Sequence, residues 1–390
     1  MHRFLILFIC AILPLLAEER CKPKILVLSC QGGYAHTAAA KTMQTLLEND
    51  YTLKIIHPIN EIRFFGLMAV ENMYNSVLGN GWIRSMNFAV HYLAPTIVRT
   101  KFGRAERVIQ RYINEEKPDL ILSLIPYINL PASNVAKNNN IPYLLVPVDF
   151  DLKNYVLGME KMSHPNFRVT VGTEEFYGKG RLLLKGIPEE TIENIGLPIR
   201  LDFFEAKNIE ELKKSYHIPL DRYVVLLMMG GAGGKNALEY AKKISTIKDL
   251  PIHLIVCCGR NEALRKEIQK VPLDSVTIIG FTDKIADLMS LSDLLISKPG
   301  PGTINEAISM HLPILADATS SILYWEKANI EMLQSLQIGD CIKSLHVLPR
   351  LLRTYLTDAE TRKRIEEAYE HIPPNQFHEK IIAIIDEMAK

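Results

Sequence analysis

Neither sign of charge dominates this sequence: 45 Lys and Arg stand against 44 Asp and Glu in 390 residues. Proteins that grip nucleic acid carry a strong basic excess, so nucleic acid is not expected as a partner. Cysteine is sparse, with six in the chain. No two of them form a C-x-x-C pair and no Cys/His cluster has zinc spacing, so no structural metal site is expected. Cys257 and Cys258 are adjacent in an apolar run, where a strand points them to opposite faces as small buried hydrophobes. Internal repeats and low-complexity tracts are missing, and no apolar run is long enough for a comfortable membrane-spanning helix. What remains is globular composition, 48% hydrophobic and 23% charged, at a length that suggests two domains.

The N-terminus is layered. Residues 1–3 are short and basic, 4–17 are unbroken apolar, and 18–20 are charged. This is the layout of a secretory signal peptide ending on a small residue. It also fits an uncleaved segment that associates with a membrane. Residues 1–20 are therefore read as signal-like or anchoring, with membrane association at the cytoplasmic face expected and export left open. An internal start does not remove the segment, because Met43 lies beyond the first expected strand.

Residues 24–29 (KILVLS) read as a buried parallel strand. Residues 31–36 follow as a glycine-bearing loop and 37–48 as a helix. Strand, glycine loop and helix form the opening unit of a doubly wound α/β domain. Further strands are expected at 120–124, 143–148 and 169–173. The stretch Gly196-Leu197-Pro198-Ile199-Arg200 punctuates the chain and sets the boundary between an N-terminal domain (21–200) and a C-terminal domain (201–390). The pattern then restarts with a strand at 223–229, a GGAGG loop at 230–234 and a helix at 236–244. Strands at 253–256, 276–279 and 294–296 alternate with helices at 264–269, 285–289 and 303–310. Two such series argue for two Rossmann-like domains with a ligand cleft between them. An amphipathic last helix, 379–388, is available to pack back across the junction.

Residues 51–111 do not read as clean α/β. Eight Lys or Arg stand there against three Glu, interleaved with Phe64, Phe65, Tyr74, Trp82, Phe88, Tyr92 and Phe102. Such a mixture suits a face that meets anionic headgroups and inserts apolar side chains, and Phe64, Phe65, Trp82 and Arg84 are assigned to it. A helical hairpin with core aromatics and solvated charges is the plainer alternative.

Three loops carry chemistry. Gly32-Gly33-Tyr34-Ala35-His36 places a histidine at a helix start, where it can act as a base near neutral pH. Gly230-Gly231-Ala232-Gly233-Gly234 is a plausible diphosphate cradle that also serves as a tight turn. Residues 297–307 (SKPGPGTINEA) follow a strand and open a helix. There Gly302 permits backbone approach, Thr303 can cap the helix or meet phosphate, and Glu306 lies one turn in, where a carboxylate can accept hydrogen bonds from ribose hydroxyls. The spacing from glycines to acid is not that of an NAD fingerprint.

With these blocks in view, the sequence resembles the monogalactosyldiacylglycerol synthases and processive diacylglycerol glucosyltransferases. These are relatives of the glycosyltransferase that acts on lipid-linked muramyl peptide. KPGPGTINEA, CGRN at 258–261, Gly280-Phe281 and GLPIR at 196–200 are similar to family blocks and occur in the same order. The resemblance implies a GT-B fold, a UDP-sugar donor, a lipid acceptor at an anionic membrane surface, and hexose transfer with inversion without an obligatory metal. It implies that Glu306 binds ribose, Gly302 and Thr303 lie near the diphosphate, and the Phe281 backbone reads uracil. It also implies that Gly230 and Gly231 form the donor loop, that Arg260 is a donor-side cation, and that His36 or Asp149 is the base. Two departures stand out. Ala35 replaces the family glycine before the loop histidine, which restricts the backbone and is expected to shift the loop. Tyr324-Trp325-Glu326 replaces Gly-Gln-Glu at the donor sugar, which keeps Glu326 and leaves the sugar's identity open. Asp149-Phe150-Asp151 has metal-pair spacing, yet is expected away from the diphosphate loops. The competing expectations are a nucleotide-sugar epimerase or transferase to another acceptor of the same fold, and an exported two-domain solute-binding protein.

Overall fold

The computed structural model describes residues 22–31, 34–62, 83–174, 176–231, 233–234 and 236–389. The N-terminal apolar segment, Gly32 and Gly33, and Phe64, Phe65 and Trp82 lie outside the described residues.

Twelve described strands form two six-stranded parallel sheets. The first has the order β2-β1-β3-β4-β5-β6, with β1 Lys24–Leu28, β2 Thr52–Ile56, β3 Leu120–Ser123, β4 Tyr143–Leu145, β5 Phe167–Val171 and β6 Ile192–Asn194. The second has the order β12-β11-β10-β7-β8-β9, with β7 Tyr223–Met228, β8 Ile252–Cys257, β9 Val276–Ile279, β10 Leu294–Ser297, β11 Ile314–Asp317 and β12 Gly339–Ile342. The central strands are apolar on both faces because helices cover both sides, as parallel sheets require. Cys257 and Cys258 accordingly fall into the two separate cores on either side of the second sheet. This is a GT-B architecture of two Rossmann-like domains. Strand order reverses between β1 and β3 in one sheet and between β7 and β10 in the other, and the carboxyl ends beside those reversals are where such folds bind ligands.

Several boundaries differ from the sequence reading. Thr52–Ile56, taken with the irregular stretch, is an edge strand in register with β1. Its alternating exposure hid it from a search for fully apolar runs. The first helix is Tyr34–Leu47 and starts earlier than Thr37. Ala35 therefore lies in helical backbone, which alanine adopts without strain. The helix Pro301–Ser309 also starts before the expected residue. Gly300 is its N-cap and Pro301 its first residue, a position where proline is pre-organised. Thr303 is thus inside the first turn and does not cap it.

The domains are laced together. The last helix, Phe377–Ala389, buries Phe377, Ile381, Ile384 and Ile385 in one cluster with Ile25, Val27, Met43 and Leu47 of the first domain. Phe150 reaches the other way and joins the core that contains Leu226, Ile304 and Ile314. The connector is gripped from both sides: His378 Nε2 donates to Ile199 O at 2.7 Å and Asn375 Nδ2 to Leu197 O at 2.9 Å. Gly196 has φ +95°, and a side chain there would run into Asn375. This is the one connector position that demands glycine.

Candidate functional site

Two helix N-termini meet across the cleft. A Cβ added to Gly302 would stand 3.5 Å from Ala35 Cβ, so the Pro301 helix faces the start of the Tyr34 helix. Helix starts carry unpaired N–H groups and partial positive charge. Two such starts side by side make that part of the cleft favourable to an anion such as a diphosphate. Ala35 is therefore a contact surface here; the glycines of the loop before it lie outside the described residues.

The second sheet contributes the donor-side loops. Gly230, Gly233 and Gly259 all have positive φ, and side chains at Gly233 and Gly259 would collide with the carbonyls of Cys258 and Gly231. The two loops press backbone on backbone, which explains glycine in both GGAGG and CGRN. Asn261 caps the helix that follows, accepting from Leu264 N at 2.9 Å, and donates from Nδ2 to Gly233 O at 3.1 Å. Arg260 is held by its backbone N–H to Gly231 O at 3.1 Å, and its guanidinium lies 4.5 Å over the exposed Phe281 ring. Arg260, Phe281, Gly230 and Gly231 are thereby brought together.

Glu306 has a partner that sequence reasoning missed. Arg200, at the end of the connector, donates from Nε at 3.0 Å and Nη2 at 2.9 Å to the same oxygen, Oε1. It also donates from Nη1 to Asp283 O at 3.0 Å, two residues beyond Phe281. Burial pushes the Glu306 carboxyl up to about 7, with Arg200 pulling against it. One arginine thus links the connector, the proposed ribose acid and the loop proposed to read the base. GLPIR was recognised as a block, but nothing in spacing joins residue 200 to residue 306.

A cluster of charged side chains lies at the junction. Lys298 is exposed, and its Cε would be 3.0 Å from a Cβ added at Gly230 and 3.7 Å from one at Gly300. Glu326 is buried, with Oε1 3.9 Å from that same Gly300 position. Burial raises the Glu326 carboxyl, Lys298 opposes that, and the neighbouring Asp149 carboxylate adds to it. The sequence reading set Asp149-Phe150-Asp151 away from the diphosphate loops. Instead, Phe150 anchors in the second domain's core and carries Asp149 to the cleft. Asp149 accepts from Tyr155 Oη at 2.8 Å, and burial pushes it up to about 6. Asp151 is committed elsewhere, to Arg181 at 3.1 Å and Lys153 N at 2.9 Å, so the pair does not present two carboxylates to one ion.

His36 stands 3.0 Å from Leu124 O through Nδ1. A carbonyl only accepts, so Nδ1 carries the proton and the basic lone pair is on Nε2. Tyr155 Oη lies 3.5 Å from the same carbonyl. His36 and Asp149, far apart in sequence, therefore belong to one cluster at the carboxyl ends of β3 and β4. Their sequence gave no sign of Tyr155, whose ring is fully buried.

In the first domain, the helix Ile83–Phe88 and the wide turn Ala89–Leu93 expose Phe88 (59%), Tyr92 (64%) and Leu93. Arg84 reaches across the cleft, donating from Nε to Ser321 Oγ at 3.2 Å. Among the described residues no helix is long and apolar enough to cross a membrane, and no group of three or more His, Cys, Asp or Glu is gathered as for a metal ion.

Residues 225–316 match the glycosyltransferase family 28 C-terminal domain, a stretch that runs from β7 to β11. A processive diacylglycerol beta-glucosyltransferase of Bacillus cereus (strain B4264) is 25% identical over 308 residues, covering 75% of this chain and 76% of that protein. Among solved structures, MurG of Acinetobacter baumannii has a TM-score of 0.64 at 16% identity, covering 94% of this chain and 100% of that one. UDP-GlcNAc 2-epimerase of Neisseria meningitidis, bound to UDP-GlcNAc, has a TM-score of 0.56 at 17% identity, covering 92% and 98%. These two likenesses establish the shared fold.

Proposed function

We propose that this glycosyltransferase, with its family 28 C-terminal domain in a GT-B frame, transfers a hexose from a UDP-sugar to a diacylglycerol-type lipid with inversion. One observation carries the reading: the Lys298–Glu306 corner and the His36–Asp149 cluster face one cleft, a donor frame opposite a base. UDP lies along the second domain, its ribose on Glu306, its uracil at Phe281, and its diphosphate among Gly230, Gly231, Gly302, Thr303, Lys298 and Arg260. Glu326 holds hydroxyls of the sugar. The acceptor hydroxyl attacks the anomeric carbon in line, the C–O bond to the β-phosphate breaks, and the new glycosidic bond forms on the opposite face. Asp149 or His36 Nε2 takes the hydroxyl proton. The electron pair leaves on the diphosphate, which the helix N-termini and the Lys298 ammonium stabilise, so no obligatory metal is required.

The lipid approaches over Phe88, Tyr92 and Leu93. A second exposed apolar pair, Leu183 and Leu184 (71%), adjoins Lys185, which shares Glu160 (3.5 Å) with Arg99 (3.8 Å) of the helix that follows Leu93. Apolar tips ringed by Lys and Arg suit peripheral docking on an anionic membrane surface. The test is the purified full chain with a panel of UDP-sugars and vesicles containing diacylglycerol. The expected product is a glycolipid of inverted anomeric configuration, identified by mass spectrometry and NMR. No UDP binding and no labelled lipid from any donor would sink the reading, and interconversion of a UDP-sugar without acceptor would replace it with an epimerase.

A further inference from the structure

The short turn Tyr324–Glu326 belongs to the C-terminal domain, yet Tyr324 is held largely by the N-terminal one. Its hydroxyl donates to Asn154 Oδ1 at 2.6 Å and its backbone N–H to Asn87 Oδ1 at 2.9 Å. The His91 ring meets it edge-on at 5.0 Å between centroids, and Lys153 Nζ lies 5.2 Å over its face. Asn87 also donates to Ile322 O at 2.7 Å, just upstream. These partners come from two places. Asn87 and His91 are on the exposed acceptor-side segment. Lys153 and Asn154 are in the turn that directly follows Asp149-Phe150-Asp151. Two residues along from Tyr324 is Glu326, buried, with Oε1 3.9 Å from the same Gly300 Cβ position that Lys298 Cε approaches to 3.7 Å; the Asp149 carboxylate is near enough to raise its carboxyl. The side chain that makes these contacts replaces a residue expected to be glycine, which could make none of the ring or hydroxyl contacts.

We infer that Tyr324 is a positioning residue that sets Glu326 against Asp149, tying the sugar end of the donor to the acceptor-side segment. This rests on the donor reading above and adds a role for the departure from Gly-Gln-Glu. A loop anchored in the opposite domain fixes its carboxylate only when the domains are closed, so the sugar-binding group is completed by the surface the acceptor must cross. Among the described residues, the partners of Tyr324 include Asn87, His91, Lys153, Asn154 and Trp325, none assigned to uracil, ribose or diphosphate, so its effect falls on the sugar and not on the nucleotide.

The test uses the full chain. UDP affinity of the unaltered protein is measured by calorimetry. Steady-state transfer is then followed for Tyr324→Phe, Asn154→Ala and the double variant, with the UDP-sugar the unaltered chain uses. Tyr324→Phe keeps the ring contacts and loses only the hydroxyl bond. It is expected to lower kcat roughly five- to tenfold, with UDP affinity held within about twofold. The double variant is expected to be no worse than the worse single one, since both remove the same bond. An unchanged kcat in Tyr324→Phe, a parallel loss of UDP affinity, or additive effects in the double variant would each overturn the inference alone. No UDP binding by the unaltered chain overturns the donor reading and this inference with it.

Discussion

Asp149 and His36 are the two candidates for the proposed base, and Tyr155 lies between them. Its hydroxyl donates to Asp149 Oδ2 at 2.8 Å and so favours the carboxylate, against burial that pushes the group up to about 6. Tyr155→Phe removes that bond. A hydrogen bond to a charged group contributes about 1.5–3 kcal/mol, and about 1.4 kcal/mol corresponds to one pH unit. A cleft open enough to admit water recovers part of it. The acid limb of kcat/KM is therefore expected to move upward by about one pH unit. Val148 N also loses its partner at 3.3 Å, so a lower melting temperature is expected too, but that loss does not displace the limb. Asp149→Asn completes the argument. A carboxyl raised above its unfolded value gives stability that is full below about pH 4 and lost as pH rises through about 6. Replacing it should stabilise the fold at pH 7.5 by at most about 3 kcal/mol, with a smaller gain at pH 5, while transfer falls by about a hundredfold or more. A limb unmoved in Tyr155→Phe, together with activity retained in Asp149→Asn, would refute Asp149 as base and leave the proton to His36.

Three further outcomes follow from the same geometry. Glu306→Ala should weaken UDP roughly tenfold to a hundredfold by calorimetry, since it removes charged hydrogen bonds and leaves Arg200 Nε and Nη2 without their carboxylate; unchanged affinity would remove ribose from that carboxylate. Phe377→Ala empties a fully buried site between the last helix and the first sheet. It should cost about 3–5 kcal/mol in denaturant unfolding, and a cost near zero would mean that the helix does not hold the domains. Phe88→Ser with Tyr92→Ser should reduce sedimentation with anionic vesicles by about tenfold or more and leave UDP affinity alone; equal vesicle binding would move the membrane face elsewhere.

Much of the frame was readable from residue order. Short apolar runs ending in glycine or serine mark strands whose carboxyl ends carry loops, and β1, β3, β7 and β10 were found that way. Four strands were not, among them the fully buried Ile314–Asp317 and its neighbour Gly339–Ile342. Thr52–Ile56 alternates in exposure, and Ile192–Asn194 is partly open at a sheet edge. Both are held by pairing with a neighbour that sequence does not reveal. The loop chemistry was similarly uneven. Glycines, His36 and Glu306 stood out by type and position, whereas Asp149 and Glu326 gained their roles only through the family resemblance. Lys298, in the same motif as Glu306, was quoted without a role, although a cation immediately before the glycine corner was the signal.

Residue order by itself determined the two parallel α/β halves, the glycine corners and the acids available to them, because these depend on local periodicity and on which residues tolerate positive φ. Only the tertiary structure decided which groups meet. Phe150 buried in the opposite domain carries Asp149 into the cleft, Arg200 reaches Glu306 across more than a hundred positions, and Tyr324 docks on Asn154 from the far side. Those pairings depend on how two closed cores share a boundary, and no short window of sequence contains that boundary.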